Sequence, residues 1–146
     1  MSRILTSKTV LAMTVLATGL FSSAAFAAMV DFHAVLNTAS EVPPHSTQGT
    51  GTAMATLDTA TKMLTYTVTY KDLTGPVTAA HFHGPALAGA NAGVVLPIAT
   101  AMTPIKDSTT LTDAQITDLE AGKWYVNIHT AANPGGEIRG QMEKGK

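Results

Sequence analysis

The chain contains no cysteine among its 146 residues. Disulfide staples, thiolate metal sites and a cysteine nucleophile are therefore excluded. Charged residues supply only 13% of the chain, about half the usual share of ~25%. They form no basic run, which excludes the electrostatic footprint of a nucleic-acid binder. No serine sits in a Gly-x-Ser-x-Gly elbow, and no glycine-rich loop leads into a Lys-Ser or Lys-Thr pair. The sequence signs of a serine hydrolase and of a phosphate-binding loop are thus missing. Long apolar runs are absent beyond residue 27. A membrane-spanning helix would need about 20 such residues.

What is present begins at the N-terminus. Arg3 and Lys8 precede an apolar stretch over 10–21, and Ala25-Phe26-Ala27 follows. This is the pattern of a secretory signal peptide, with cleavage expected after Ala27. Removing 27 residues from 146 leaves 119, the length of one domain over 28–146. Such a length buries a core without covalent staples. Losing Arg3 and Lys8 changes the balance from 9 basic and 10 acidic residues to 7 and 10, a net charge of −3. The expected location is the periplasm or the extracellular space, with no stable membrane span after cleavage.

Most of the domain alternates with period two. Residues 32–37, 51–57, 63–70, 77–83, 94–98, 123–130 and 137–142 read as strands. Leu64, Tyr66, Val68 and Tyr70 share one face, with Thr65, Thr67 and Thr69 on the other. Pro43-Pro44 makes 40–49 a loop, and Pro97 marks 94–98 as an edge strand. The stretch 102–110 gives no clear assignment, and the Lys144/Lys146 tail is expected to fray. One helix is predicted near 112–121. Thr112 and Gln115 fit a capping box, Ile116 and Leu119 share a face, and Gly122 is a suitable stop. The fold class is all-β: an antiparallel, Greek-key-like sandwich or flattened barrel with one short helix.

Side chains two apart on a strand point the same way. His81 and His83 therefore share a face of 77–83, opposite to Phe82. On 123–130 the apolar set Trp124, Val126 and Ile128 faces inward. Tyr125, Asn127 and His129 then lie on the other face. If the two strands are neighbours, His81, His83 and His129 meet as three imidazoles. Three imidazoles without thiolates suit copper, zinc or nickel, with water in an open position. Histidine ligands need acceptors on their second nitrogens, and Glu41, Asn127 and Glu137 are candidates. His33 is a candidate to approach the same surface, whereas His45 reads as a solvated loop residue. Glu137 and Arg139 also share a face. They read as an exposed ion pair, or alternatively as a buried Arg139 pairing with Glu41. The competing reading of all these residues is structural: histidines, Glu137 and Arg139 as hydrogen-bonded scaffold.

Four motifs carry a family resemblance. Glu41-Val42-Pro43-Pro44, Ala79-Ala80-His81-Phe82-His83-Gly84-Pro85, Tyr125-Val126-Asn127-Ile128-His129-Thr130 and Gly136-Glu137-Ile138-Arg139-Gly140-Gln141 together resemble the CHRD domain. That domain is named for chordin and also occurs in exported bacterial proteins. The likeness runs from about Asp31 to Gln141 and implies a stand-alone, exported, β-rich CHRD domain. It implies no activity. Separately, His81-Phe82-His83 with His129 is similar to the copper ligands of the copper/zinc superoxide dismutases. Here a bridging histidine between His83 and His129 is missing, as is the disulfide. Arg139 has a counterpart by analogy in an anion-guiding arginine. The resulting expectation is a non-enzymatic, copper-favouring module of the cell envelope. The alternatives are a structural or protein-interaction domain without metal and a superoxide dismutase-like copper enzyme.

Overall fold

A computed structural model describes residues 28–98 and 102–146. The segment read as a signal peptide, 1–27, lies outside the described residues. Nine strands form one antiparallel sheet. They are β1 (Met29–Asn37), β2 (Thr50–Asp58), β3 (Met63–Lys71), β4 (Val77–His83), β5 (Val94–Ile98), β6 (Ile105–Thr110), β7 (Tyr125–Thr130), β8 (Ile138–Gln141) and β9 (Glu143–Lys144). The order is β5-β4-β7-β8-β1-β2-β3-β6, with β9 on β1. The sheet curls into a nearly closed barrel, as the alternating pattern predicted. The expected edge strand 94–98 is β5, at one end of the order.

Side-chain size explains the curl. Across β2 and β3, Ala53 faces Val68 and Ala55 faces Tyr66, so small residues on one strand make room for large ones on the next. Leu57 faces Leu64 where the hairpin closes. All six are buried. On β4, Phe82 points into the same interior. Its ring meets Tyr66 edge-on at 5.0 Å and lies 6.0 Å from Trp124. β3 and β4 are far apart in the sheet order, so this contact spans the barrel interior.

The helix α1 (Asp113–Glu120) forms where predicted. Thr112 Oγ1 accepts from Gln115 N at 3.3 Å, and Gln115 Oε1 accepts from Thr112 N at 2.9 Å. Leu119 is buried, and Ile116 packs against the core cluster. Gly122 ends the helix at φ +67°, a conformation that side-chain-bearing residues avoid.

Two segments differ from the expectation. Most of the unassigned stretch is β6, whose sequence IKDSTT buries only Ile105. As an edge strand it has no second apolar face to advertise it. The tail does not fray at Lys144. Glu143 and Lys144 pair with His33 and Phe32 as β9, and Lys144 Nζ lies 3.0 Å from Glu120 Oε1. Replacing Phe82 with Ala should cost about 3–5 kcal/mol, from lost burial plus the cavity left between Tyr66 and Trp124. Thr112→Ala should cost about 1 kcal/mol, the worth of one helix cap. Denaturant unfolding of the two variants should separate them in that order.

Candidate metal centre

β4 and β7 are neighbours, as the shared-face reading required. Their register pairs His83 with Tyr125, His81 with Asn127 and Ala79 with His129. Ala79 is small, so the His129 ring leans along the ladder toward His81. Their centroids are 4.9 Å apart, and His81 Nδ1 lies 3.1 Å from His129 Nε2. His83 completes the group at 5.4 Å from His81 and 6.2 Å from His129. One ligand atom from each ring lies within 4.8 Å of the others. All three residues are half-buried.

Backbone carbonyls fix the tautomers. His83 Nδ1 donates to Ala92 O at 3.0 Å, and His129 Nδ1 donates to Pro134 O at 2.9 Å. A carbonyl only accepts, so each Nδ1 carries the proton and each Nε2 keeps its lone pair. His129 Nε2 then accepts from His81 Nδ1. His83 Nε2 is buried with no hydrogen-bond partner. Burial, reinforced by the charges that His129 and His83 would carry, holds His81 below the usual imidazole range. Burial also lowers His83, aided by His129 and Arg139 and outweighing the Ala92 carbonyl. Near neutral pH both rings are uncharged and able to act as ligands.

The acceptors expected from side chains are elsewhere. Ala92 O and Pro134 O, not Glu41, Asn127 or Glu137, receive the imidazole protons. Glu41 instead accepts a short hydrogen bond from Asn127 Nδ2 beneath Gly136. Gly136 has φ +127°, and a Cβ there would meet Asn127 Nδ2 at 2.2 Å. His33 lies exposed beside Glu143, at 3.9 Å, and does not join the cluster. His45 is half-buried in its loop, its backbone N–H donating to Thr38 O at 3.0 Å, and does not join the cluster.

Glu137 and Arg139 are buried, not an exposed pair. The Glu137 carboxylate accepts from Thr47 Oγ1 at 3.0 Å, Thr74 N at 2.9 Å, Thr74 Oγ1 at 2.7 Å and Thr130 Oγ1 at 2.7 Å. Arg139 donates to Asn91 Oδ1 at 2.9 Å and Ala90 O at 2.6 Å, and its guanidinium lies 3.5 Å from the Tyr125 ring centre. It is only 2% exposed, which leaves no face for guiding anions in from solvent. Tyr125 stacks in turn on His83, at 4.8 Å and 3°. Tyr125 was legible on the outward face of its strand, but its tie to the site was not. The carbonyls of Ala92 and Pro134 leave no mark in side-chain identity.

The two buried carboxylates should affect acid stability in opposite directions. Burial works against ionisation of Glu137, but the threonine hydrogen bonds outweigh it and hold the pKa below the ordinary 4.5. Its stabilisation is therefore complete above pH 4.5 and is lost as pH falls through the lower folded-state value. For Glu41, burial outweighs the pull of Arg139 and raises the pKa. That contribution favours folding in acid and is lost as pH rises above 4.5 toward the folded-state value. At pH 7 Glu137→Gln should cost about 1–3 kcal/mol, whereas Glu41→Gln should leave the melting temperature unchanged or higher. Thermal melts at pH 7 and pH 4 should show the Glu137→Gln deficit shrinking in acid.

Comparison with curated proteins and with solved structures gives no match. A sequence model of the CHRD domain matches residues 32–142, which takes in β2 to β8, most of β1, the three histidines and Glu41, Glu137 and Arg139. The motifs at Glu41, His81–His83, Asn127–His129 and Glu137–Arg139 thus lie within one family domain, and the chain belongs to the CHRD domain family.

Proposed function

We propose that this CHRD domain is a non-enzymatic, metal-binding module of the cell envelope that takes copper through His81, His83 and His129. The observation that carries the reading is the buried, unpartnered Nε2 of His83, beside two further imidazole nitrogens within 4.8 Å. Ligands at about 2.0–2.1 Å from one ion stand roughly 3.3 Å from one another. His81 Nδ1 and His129 Nε2 are already 3.1 Å apart, so ligation through both would require the His81 proton to move to its Nε2 and His83 to close in. Among divalent ions copper binds nitrogen ligands most strongly, and zinc is the next choice for this ligand set. A water would fill an open position on the ion.

A second reading is favoured by the same hydrogen bonds. His83 and His129 each tie down a loop carbonyl, as histidines serving only as scaffold in an interaction domain would. The two readings separate in a competitive chelator titration of the mature protein with Cu(II). Metal binding requires tight association that weakens at least tenfold in His81→Ala and in His129→Ala. Unchanged affinity in both variants would sink the metal reading. Scaffold histidines predict a lower metal-free melting temperature in His81→Ala and no rise on adding copper. Protons compete for the ring nitrogens, so affinity should fall in acid. Because His81 and His83 are held below the ordinary 6.5, the fall should begin below that value. Export is part of the proposal, and N-terminal sequencing of protein recovered outside the cytoplasm should begin at Ala28.

A further inference from the structure

The loop 84–93 lies over the outer face of β7, and its composition does not explain why it stays there. Its largest apolar residue, Leu87, is 64% exposed. Its first half is tied at Ala86, whose N–H donates to Lys123 O and whose carbonyl accepts from Gln141 Nε2, both at 2.8 Å; its second half is held by polar contacts to three consecutive residues. Arg139 binds Ala90 O and Asn91 Oδ1 with two arms of its guanidinium. The Tyr125 hydroxyl accepts from Ala92 N at 3.1 Å and lies 3.3 Å from Ala92 O. Asn91 Nδ2 continues to Val42 O at 3.2 Å, joining this loop to the Pro-Pro loop. The Tyr125 ring is itself held between the Arg139 guanidinium and the His83 ring.

We infer that Tyr125 and Arg139 are positioning residues for the metal centre: by fixing the Ala92 peptide they decide which nitrogen of His83 faces the metal. The metal arm of this inference rests on the metal-binding reading; the tautomer arm does not. A free neutral histidine prefers its proton on Nε2. In this site that proton would be buried without an acceptor, at a cost of the order of an unmade hydrogen bond. The Ala92 carbonyl offers Nδ1 an acceptor and selects the other tautomer. The carbonyl can do so only while its peptide is held. Tyr125 grips both polar groups of that residue, and Arg139 grips the two residues before it. His129 provides an internal contrast, because its carbonyl belongs to Pro134, in a different loop.

The test uses the mature protein labelled with 15N-histidine, free of metal, at pH 8. Long-range 1H–15N spectra report the tautomer of each ring. In the wild type His83 and His129 should both be Nδ1–H. In Tyr125→Phe the ring stack survives but the hydroxyl is gone. His83 should then show substantial Nε2–H form while His129 stays Nδ1–H. Arg139→Lys keeps the charge, loses the two-armed grip and should move His83 the same way. Asn91→Ala, at an exposed loop position, gives a milder variant should either of those fail to fold. Cu(II) affinity should fall about tenfold in Tyr125→Phe. A His83 that remains wholly Nδ1–H in the folded variants overturns the inference. So does a shifted tautomer with unchanged copper affinity. If the wild type binds no copper, the metal reading fails, and the tautomer result alone decides whether these residues set the ring.

Discussion

A carboxylate buried without a cation beside it is costly unless its oxygens are satisfied. Glu137 meets that demand with three threonine hydroxyls and one backbone N–H. The donors come from separate places: Thr47 in the loop after β1, Thr74 in the turn before β4, and Thr130 at the end of β7. Asn133 extends the network by donating to Thr74 Oγ1 at 3.0 Å. One side chain thus fastens the outer layer at the end of the ladder where His129 emerges. The alternative, leaving several polar groups unpaired in a dry setting, is what makes the arrangement specific as well as stable.

Above that anchorage, β7 is covered on both sides. Trp124, just before the strand, joins Val126 and Ile128 in the barrel interior, while Tyr125 and Asn127 are buried under loops on the outside. The barrel supplies direction, because its register places His81, His83 and His129 on one face. The loops supply tautomer and orientation, through Ala92 O and Pro134 O. Neither layer makes the centre alone. The domain therefore carries its chemistry where a rigid wall and hydrogen-bonded cover meet.

The sequence made the barrel wall legible because alternation is a local property. Leu64, Tyr66 and Val68 announce their face, and Thr112 with Gln115 announce the helix start. The grouping of His81, His83 and His129 followed from parity plus one assumption, that their strands are neighbours. Strand β6 escaped notice because an exposed edge buries too little to set a pattern. The partners of Glu137 and Arg139 escaped for another reason. They lie in loops remote in sequence, at Thr47, Thr74, Ala90 and Asn91, and pairings of that kind have no period. Shared parity of Glu137 and Arg139 suggested an ion pair, yet burial gave each its own separate set of neutral partners.

The outer contacts of the imidazoles also carry an electrostatic consequence. Ala92 O and Pro134 O are neutral dipoles, and imidazoles bind a metal as neutral ligands. Glu137 spends its charge on threonines, and Glu41 is turned toward Asn127. A cation held by these three rings would therefore keep its full formal charge, with the Arg139 guanidinium behind Tyr125 adding to the positive potential. Such a field would draw a small anion, or favour loss of a proton from a bound water.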